Sequence, residues 1–240
     1  LLISNSIHGV MRIAVFTDES GVKLPEIRKW KKTQGRGIDI AKNDILVAIL
    51  KKNNLQIPGN DIQFEDLYRD VLQDYIRPAK NMYAGMFFEV RDLVDSLNKI
   101  SKVSLYIISG RYGLLEENDL IIPYSFSIKS ESDLIQLDTK HSFVNKMKEK
   151  AIDADIVICL LPSYFIKYLL KVNWFEKLDS KKTVILVSSK NLEQSFVHSL
   201  NVKLLERKGV ARIGKLNRNA ILELVKSLSI ANLDSISKTN

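Results

Sequence analysis

Apolar residues along this chain fall into two kinds of run. Short continuous stretches, MRIAVF (11–16), VSLYII (103–108), ADIVICLL (154–161) and TVILV (183–187), are rich in β-branched side chains and read as strands buried on both faces. Longer segments carry apolar positions at helical spacing: 38–50, 64–75, 86–100, 142–151, 163–171, 192–200 and 219–228. The best of these is 86–100, where Phe87, Val90, Leu93, Val94 and Leu97 share one face. Such alternation predicts an α/β fold with a mostly parallel or mixed central sheet, helices on both faces and a basic C-terminal helix. Residues 1–230 read as one α/β domain, with parts at 11–76, 77–190 and 191–230, and 231–240 as a tail.

The composition narrows the class without naming an activity. An apolar fraction of 45% and a charged fraction of 27% belong to an ordinary globular protein. A net charge of +8 makes a polyanionic partner a reasonable expectation, since clustered Lys and Arg attract phosphates. Cys159 is the single cysteine and sits in an apolar run, which excludes an intrachain disulfide and a Cys-based zinc site and reads as a small buried hydrophobe. His8, His141 and His198 have no metal-ligand spacing, His141 reading as surface or helix cap near a helix start. Neither G-x-x-x-x-G-K-[ST] nor G-x-G-x-x-G occurs, so no metal and no cofactor is expected. No apolar run approaches the ~20 residues of a membrane span, and the opening LLISNSIHGV lacks the layout of a signal peptide. Met11 is the expected natural start, and a cytoplasmic location is the default expectation.

Four stretches hold residues suited to chemistry. In ISGRYGLLEENDLIIPY, a strand stops at Ser109, and Gly110 and Gly113 let the chain turn sharply around Arg111 and Tyr112. That order predicts a guanidinium and a phenol presented at a strand end, followed by an acid-rich loop closed by Pro123 and Tyr124. In RPAKNMYAGMF, Lys80 and Tyr83 are polar anchors and Gly85 permits close backbone approach where a helix opens. In LLPSYFIKYLLK, Ser163 reads as the N-cap of a helix that follows a strand. Two basic segments complete the set. RKWKKTQGR interleaves Trp30 with Arg28, Lys29, Lys31, Lys32 and Arg36, and ERKGVARIGKLNRN brings Arg212, Lys215 and Arg218 to a Gly-rich turn. The second is loosely similar to a DNA-binding helix-hairpin-helix turn, with its alanine too late after Gly214.

Three blocks together resemble the YaaA (peroxide-stress protein) superfamily. The block ISGRYGLLEENDLIIPYSFSI is similar to that family's strand-loop signature, carried here by Ser109, Gly110, Tyr112, Gly113, Leu114, Leu115, Asp119, Leu120, Ile121, Pro123 and Tyr124. PAKNMYAGMFF supplies a Tyr-x-Gly at Tyr83 and Gly85, and ADIVICLLPSYFIKYL supplies Ser163, Tyr164 and Phe165. The stretch after the first strand departs from the family, with TDESGVKL in place of its Ser-Pro-Ala-Lys or Cys-Ser-Lys. The resemblance implies a divergent relative with an α/β fold, a cleft, a positively charged groove, a cytoplasmic location and an association with DNA binding under oxidative stress. On that reading the partner is nucleic acid, DNA rather than RNA, with Arg111, Lys80 and the 28–36 run on phosphates and Tyr83, Tyr112 and Tyr124 shaping a base-sized pocket. The alternative is an enzyme acting on a nucleobase, nucleoside or nucleotide, for example at a glycosidic bond, with Asp119 or Glu116 as general acid or base. A structural module with a degenerate pocket is the third reading.

Overall fold

The computed structural model describes residues 10–24, 37–189, 192, 201–209 and 211–237, with side chains to 230. Six strands form one sheet in the order β4-β3-β1-β6-β7-β8: β1 (Arg12–Asp18), β3 (Lys102–Ser109), β4 (Gly113–Glu116), β6 (Ile156–Leu160), β7 (Thr183–Ser188) and β8 (Asn201–Glu206). All neighbours pair parallel except β3 with β4, which form an antiparallel hairpin. A separate two-stranded ladder joins β2 (Arg77–Pro78) to β5 (Leu120–Ile121).

The continuous apolar strands are buried on both faces for the reason their pattern suggests. One face packs on α4 (Phe88–Leu97) and α8 (Lys215–Ser237), through Val90, Leu93, Leu97, Ile221 and Val225. The other packs on α5 (Glu131–His141), α6 (Phe143–Ile152) and α7 (Ser163–Lys171), through Leu134, Phe143, Met147, Phe165 and Leu169. A satellite of α1 (Asp44–Lys52) and α2 (Glu65–Val71) buries Leu46, Leu50, Tyr68 and Leu72 against Ile122 and Tyr112. The four-residue α3 (Ala79–Met82) precedes Tyr83. No helix of the described residues is long and apolar enough to cross a membrane.

Several local expectations are corrected. The acid-rich loop after β3 is the β3–β4 hairpin, because Gly113 at φ +78 reverses the chain within four residues of Ser109. Strand β8 and helix α5 lack strong apolar periods and were not expected; β8 is an edge strand, and α5 starts on a capping box of Ser130 and Asp133. His141 ends α5 rather than starting a helix. The C-terminal helix is longer than 219–228, and the segments 38–50, 64–75 and 86–100 each combine a 3₁₀ turn with a shorter α-helix. The helix expected at 192–200 and the basic run from Arg28 to Arg36 lie outside the described residues, apart from Leu192.

Candidate functional site

Counted in chain order, the parallel strands run 2-1-3-4-5, so successive connections leave β1 in opposite directions at the β1–β6 boundary. Open α/β sheets bind ligands at such a switch point, beyond the strand carboxyl ends. Here β1 ends in Thr17-Asp18, with Glu19 directly after it, and β6 ends in Leu160; the Thr17 hydroxyl donates to the Leu160 carbonyl at 3.3 Å. Helix α7 opens three residues later, at Ser163, with Pro162 as its N-cap and no side-chain cap bond, so the expected capping role of Ser163 is not observed. Ser163 and Tyr164 stand half-buried at that helix start, and the Tyr164 hydroxyl donates to the Ile128 carbonyl at 3.0 Å.

Two carboxylates lie at the end of β1, Glu19 buried and Asp18 half-buried. Glu19 accepts from the amides of Gly110 (3.0 Å) and Ile128 (3.3 Å) and from the Tyr124 hydroxyl. Tyr124 in turn pairs with Ser109 Oγ and with the Tyr83 hydroxyl, each at 2.8 Å. Lys23, wholly buried, donates to the carbonyls of Ser20 (2.6 Å) and Phe126 (3.2 Å), lies 4.0 Å from Glu19 and faces the Tyr124 ring at 4.4 Å. Desolvation pushes the Glu19 carboxyl up and the Lys23 ammonium down, each partly offset by the other's charge. Gly110 has to be glycine: a Cβ there would stand 2.2 Å from the Phe126 ring and 3.0 Å from Glu19.

Asp18, on the other side of the strand end, pairs with Arg212. The guanidinium donates to the Asp18 carboxylate, to the main-chain carbonyls of Asp18 (2.8 Å) and Glu19 (3.1 Å), and to Thr17 Oγ1 (3.0 Å). Burial raises the Asp18 carboxyl above its ordinary range even though Arg212 and Arg207 pull it down. The sheet end thus holds a carboxyl that burial shifts upward and Arg212 pulls back, beside a helix start with open amide groups, a set that can carry a proton and hold an anion.

The structure reassigns most of the residues singled out from sequence. Arg111 is not offered to a ligand: it is fully buried, donates through Nε (3.1 Å) and Nη2 (2.6 Å) to Glu65, and gives Nη1 to the carbonyls of Gly59 (2.7 Å) and Asp61. Tyr112 donates to the same Glu65 at 2.8 Å, so both side chains tie the satellite to the sheet instead of contacting phosphate. Tyr83 and Tyr124 do join Ser109, and through Glu19 the Gly110 amide, in an internal network with no exposed ring. Pro123 is buried beside them, Gly113 turns the hairpin, and Gly85 lies exposed at φ +61 before α4. Lys80 pairs with Glu117 at 3.0 Å.

Glu116 and Asp119 are misplaced as catalytic acids. The antiparallel register sets Glu116 opposite Tyr106, in mid-strand and away from the Ser109 end. It pairs with Lys150 at 2.6 Å, while Asp119 caps the Glu116 amide at 2.8 Å. Arg212 belongs to the site, though bonded inward and not free for nucleic acid; Arg218 pairs with Ser96 (2.8 Å) and Asp92 (4.0 Å), and Lys215 is exposed. The supposed hairpin turn gives its Ile213 and Gly214 amides to Glu89 at 2.6 and 3.2 Å. Asp18, Glu19, Lys23 and Glu65 were the residues sequence reasoning missed. For the first two a signal existed, since TDES puts two acids directly after the first buried strand.

Residues 72–194, just over half of the chain, match the model of a family of unknown function (DUF6884). The chain belongs to this family. No curated protein and no solved structure matches it. The DUF6884 stretch contains Tyr83, Ser109, Gly110, Tyr124 and the β6–α7 turn, whereas Asp18, Glu19, Lys23 and Arg212 lie outside it. Both carboxylates of the site are therefore supplied from beyond the DUF6884 match, by the strand that divides the sheet. Among the described residues of this DUF6884 protein, no group of three or more His, Cys, Asp or Glu could hold a metal ion.

Proposed function

We propose that this DUF6884 protein is an enzyme acting on a nucleobase, nucleoside or nucleotide, with Asp18 supplying a proton to the leaving group. The observation that carries the reading is a partly desolvated carboxyl at the switch point of a doubly wound sheet, on the strand bonded to the end of β6 and within electrostatic reach of Tyr164 at the start of α7. A carboxyl that burial shifts above its ordinary range holds a proton more readily than a free one and can pass it to a leaving ring nitrogen, as in cleavage of a glycosidic bond. Tyr164, in the first turn of α7, supplies a ring for a base to stack on. The test is incubation with nucleosides, nucleotides and free bases, followed by mass spectrometry, for wild type and Asp18→Asn. A new product formed by wild type and lost in the variant supports the reading; no product and no binding from any member of the panel overturns it.

Nucleic-acid binding of the YaaA-like kind is the second reading. It is supported by the net charge of +8, and all three resembling blocks fall within residues 72–194. With Arg111 and Arg212 bonded inward, its phosphate contacts would come from Arg28, Lys29, Lys31, Lys32 and Arg36, which lie outside the described residues, and from the exposed Lys215. A role in stress protection and a cytoplasmic setting go with this reading. Anisotropy with labelled DNA and RNA decides it: binding that weakens steeply with salt supports it, and no binding at low salt removes it.

A further inference from the structure

Arg212 lies on a short arm held at both ends. Before it, the Arg207 amide donates to Ser188 at the end of β7 (2.7 Å), and Arg207 Nε donates to the Ala211 carbonyl (2.9 Å). After it, the amides of Ile213 and Gly214 close on the Glu89 carboxylate of α4. Gly209 at φ +60 and Gly214 at φ +78 bracket the arm, both in the backbone region that glycine enters without strain. Glu89 and Ser188 fix where the arm starts and stops, and between them the Arg212 guanidinium bonds to the end of β1. That guanidinium is buried, packs over the Phe87 ring at 5.6 Å, and leaves Nε without a partner; the buried Ser188 hydroxyl also has none.

The environment of Asp18 makes Arg212 decisive for its charge. Arg212 and Arg207 face it from the arm, Tyr164 faces it from α7, and Glu19 follows it in its own loop; of these only Arg212 bonds to its carboxylate. We propose that the ligand of this site carries an anionic group, a phosphate in the simplest case, which draws Arg212 off Asp18, and that Asp18 then takes up one proton from solvent. This rests on Asp18 being the acid of the proposed function. An arginine fork fits phosphate oxygens as well as it fits a carboxylate, so an anion can take over the bonds Asp18 gives up. A neutral base or nucleoside offers nothing equivalent. A buried carboxylate that loses its counter-charge neutralises in preference to staying ionised. The acid is therefore loaded by the same event that seats the anion, and the bound ligand meets a protonated Asp18.

The experiment is isothermal titration calorimetry of the full chain, in two buffers of different ionisation enthalpy near pH 7. The probes are nucleoside monophosphates, the matching nucleosides, pyrophosphate and inorganic phosphate. The monophosphate is expected to bind at least about tenfold more tightly than its nucleoside, the size of one charge-assisted hydrogen bond or more, with uptake of about one proton per site. Asp18→Asn should keep monophosphate binding and lose the proton uptake. Arg212→Lys, preferred to Arg212→Ala because it retains a charge at the end of β1, should lose most of the preference for the phosphate, with its fold checked by circular dichroism. Equal binding of nucleoside and monophosphate, or uptake that persists in Asp18→Asn, overturns the inference and leaves the proposed function standing. Pyrophosphate or phosphate binding with Asp18-dependent uptake, but no binding of any nucleoside or nucleotide, keeps the inference and removes the nucleobase reading. No binding by any probe removes both.

Discussion

Arg111 spends all three of its guanidinium nitrogens on Glu65, Gly59 and Asp61, so its loss is a stability event before it is anything else. Arg111→Ala leaves Glu65 with only Arg69 (3.0 Å) and the Tyr112 hydroxyl (2.8 Å), strips the Gly59 and Asp61 carbonyls of their donor, and opens a cavity where the satellite meets the sheet. Urea denaturation should show a loss of about 3 kcal/mol, the lower end of the cost of breaking one side of a buried ion pair, because Arg69 still neutralises Glu65. Arg111→Lys should recover little of it, because an ammonium cannot reproduce the fork. Asp18 gives a prediction of a different kind. Its folded carboxyl titrates above the ordinary 3.8, so the native state holds a proton that the unfolded chain has released. The stability this adds is full below 3.8 and is lost as pH rises through the raised folded value. Wild type should therefore lose stability relative to Asp18→Asn as pH climbs above 3.8, measured by denaturation midpoints across pH. Residue identity was legible in these cases and role was not. Arg111 sits in a Gly-flanked turn, which reads as presentation to a ligand, but Glu65 is 46 positions earlier and no local pattern announces it.

At the scale of elements, strong patterns were read well and weak ones poorly. The strands at 103–108, 154–161 and 183–187 and the helix at 163–171 were recognisable because burial on both faces, or one apolar stripe, leaves a dense signal. Strand β8 is half exposed and α5 has a shallow apolar face, so neither stands out. What starts α5 is polar chemistry: Ser130 Oγ accepts the Asp133 amide at 3.2 Å, and the Asp133 carboxylate accepts the Ser130 amide at 3.0 Å. Ser130→Ala should cost about 1 kcal/mol, with the largest rise in amide exchange in the first turn of α5. The β3–β4 hairpin went unrecognised because LLEEND is short and acid-rich; pairing with Ile107 and Ile108, and burial of Leu115, make it a strand.

At the scale of the molecule, charge and topology pull the functional reading apart. The excess of +8 is a property of the whole chain, but the two arginines most suggestive of phosphate binding are interior, and Lys80, Lys150, Lys171 and Arg218 stand beside acids. If nucleic acid binds, replacing Lys31 and Lys32 by Ala should flatten the slope of log affinity against log salt by about 0.9 for each duplex DNA phosphate that the protein no longer neutralises. Anisotropy across a salt series measures this, and Lys80→Ala should change the slope little. Sequence alone determined that this is an α/β chain with a parallel core, because continuous apolar strands alternating with helices can bury their faces in few other ways. It also brought Ser109, Gly110, Tyr83, Tyr124 and Ser163 forward as residues at strand ends and turns. Only the tertiary structure decided which of them meet and what they do there. Strand order sets the switch point beside β1, and hydrogen bonds spanning up to 195 positions join Arg212 to Thr17 and Asp18 and bring Glu19 to Gly110 and Tyr124. Local sequence patterns carry period and turn chemistry, whereas partnership between buried charges depends on distances that only the folded chain creates.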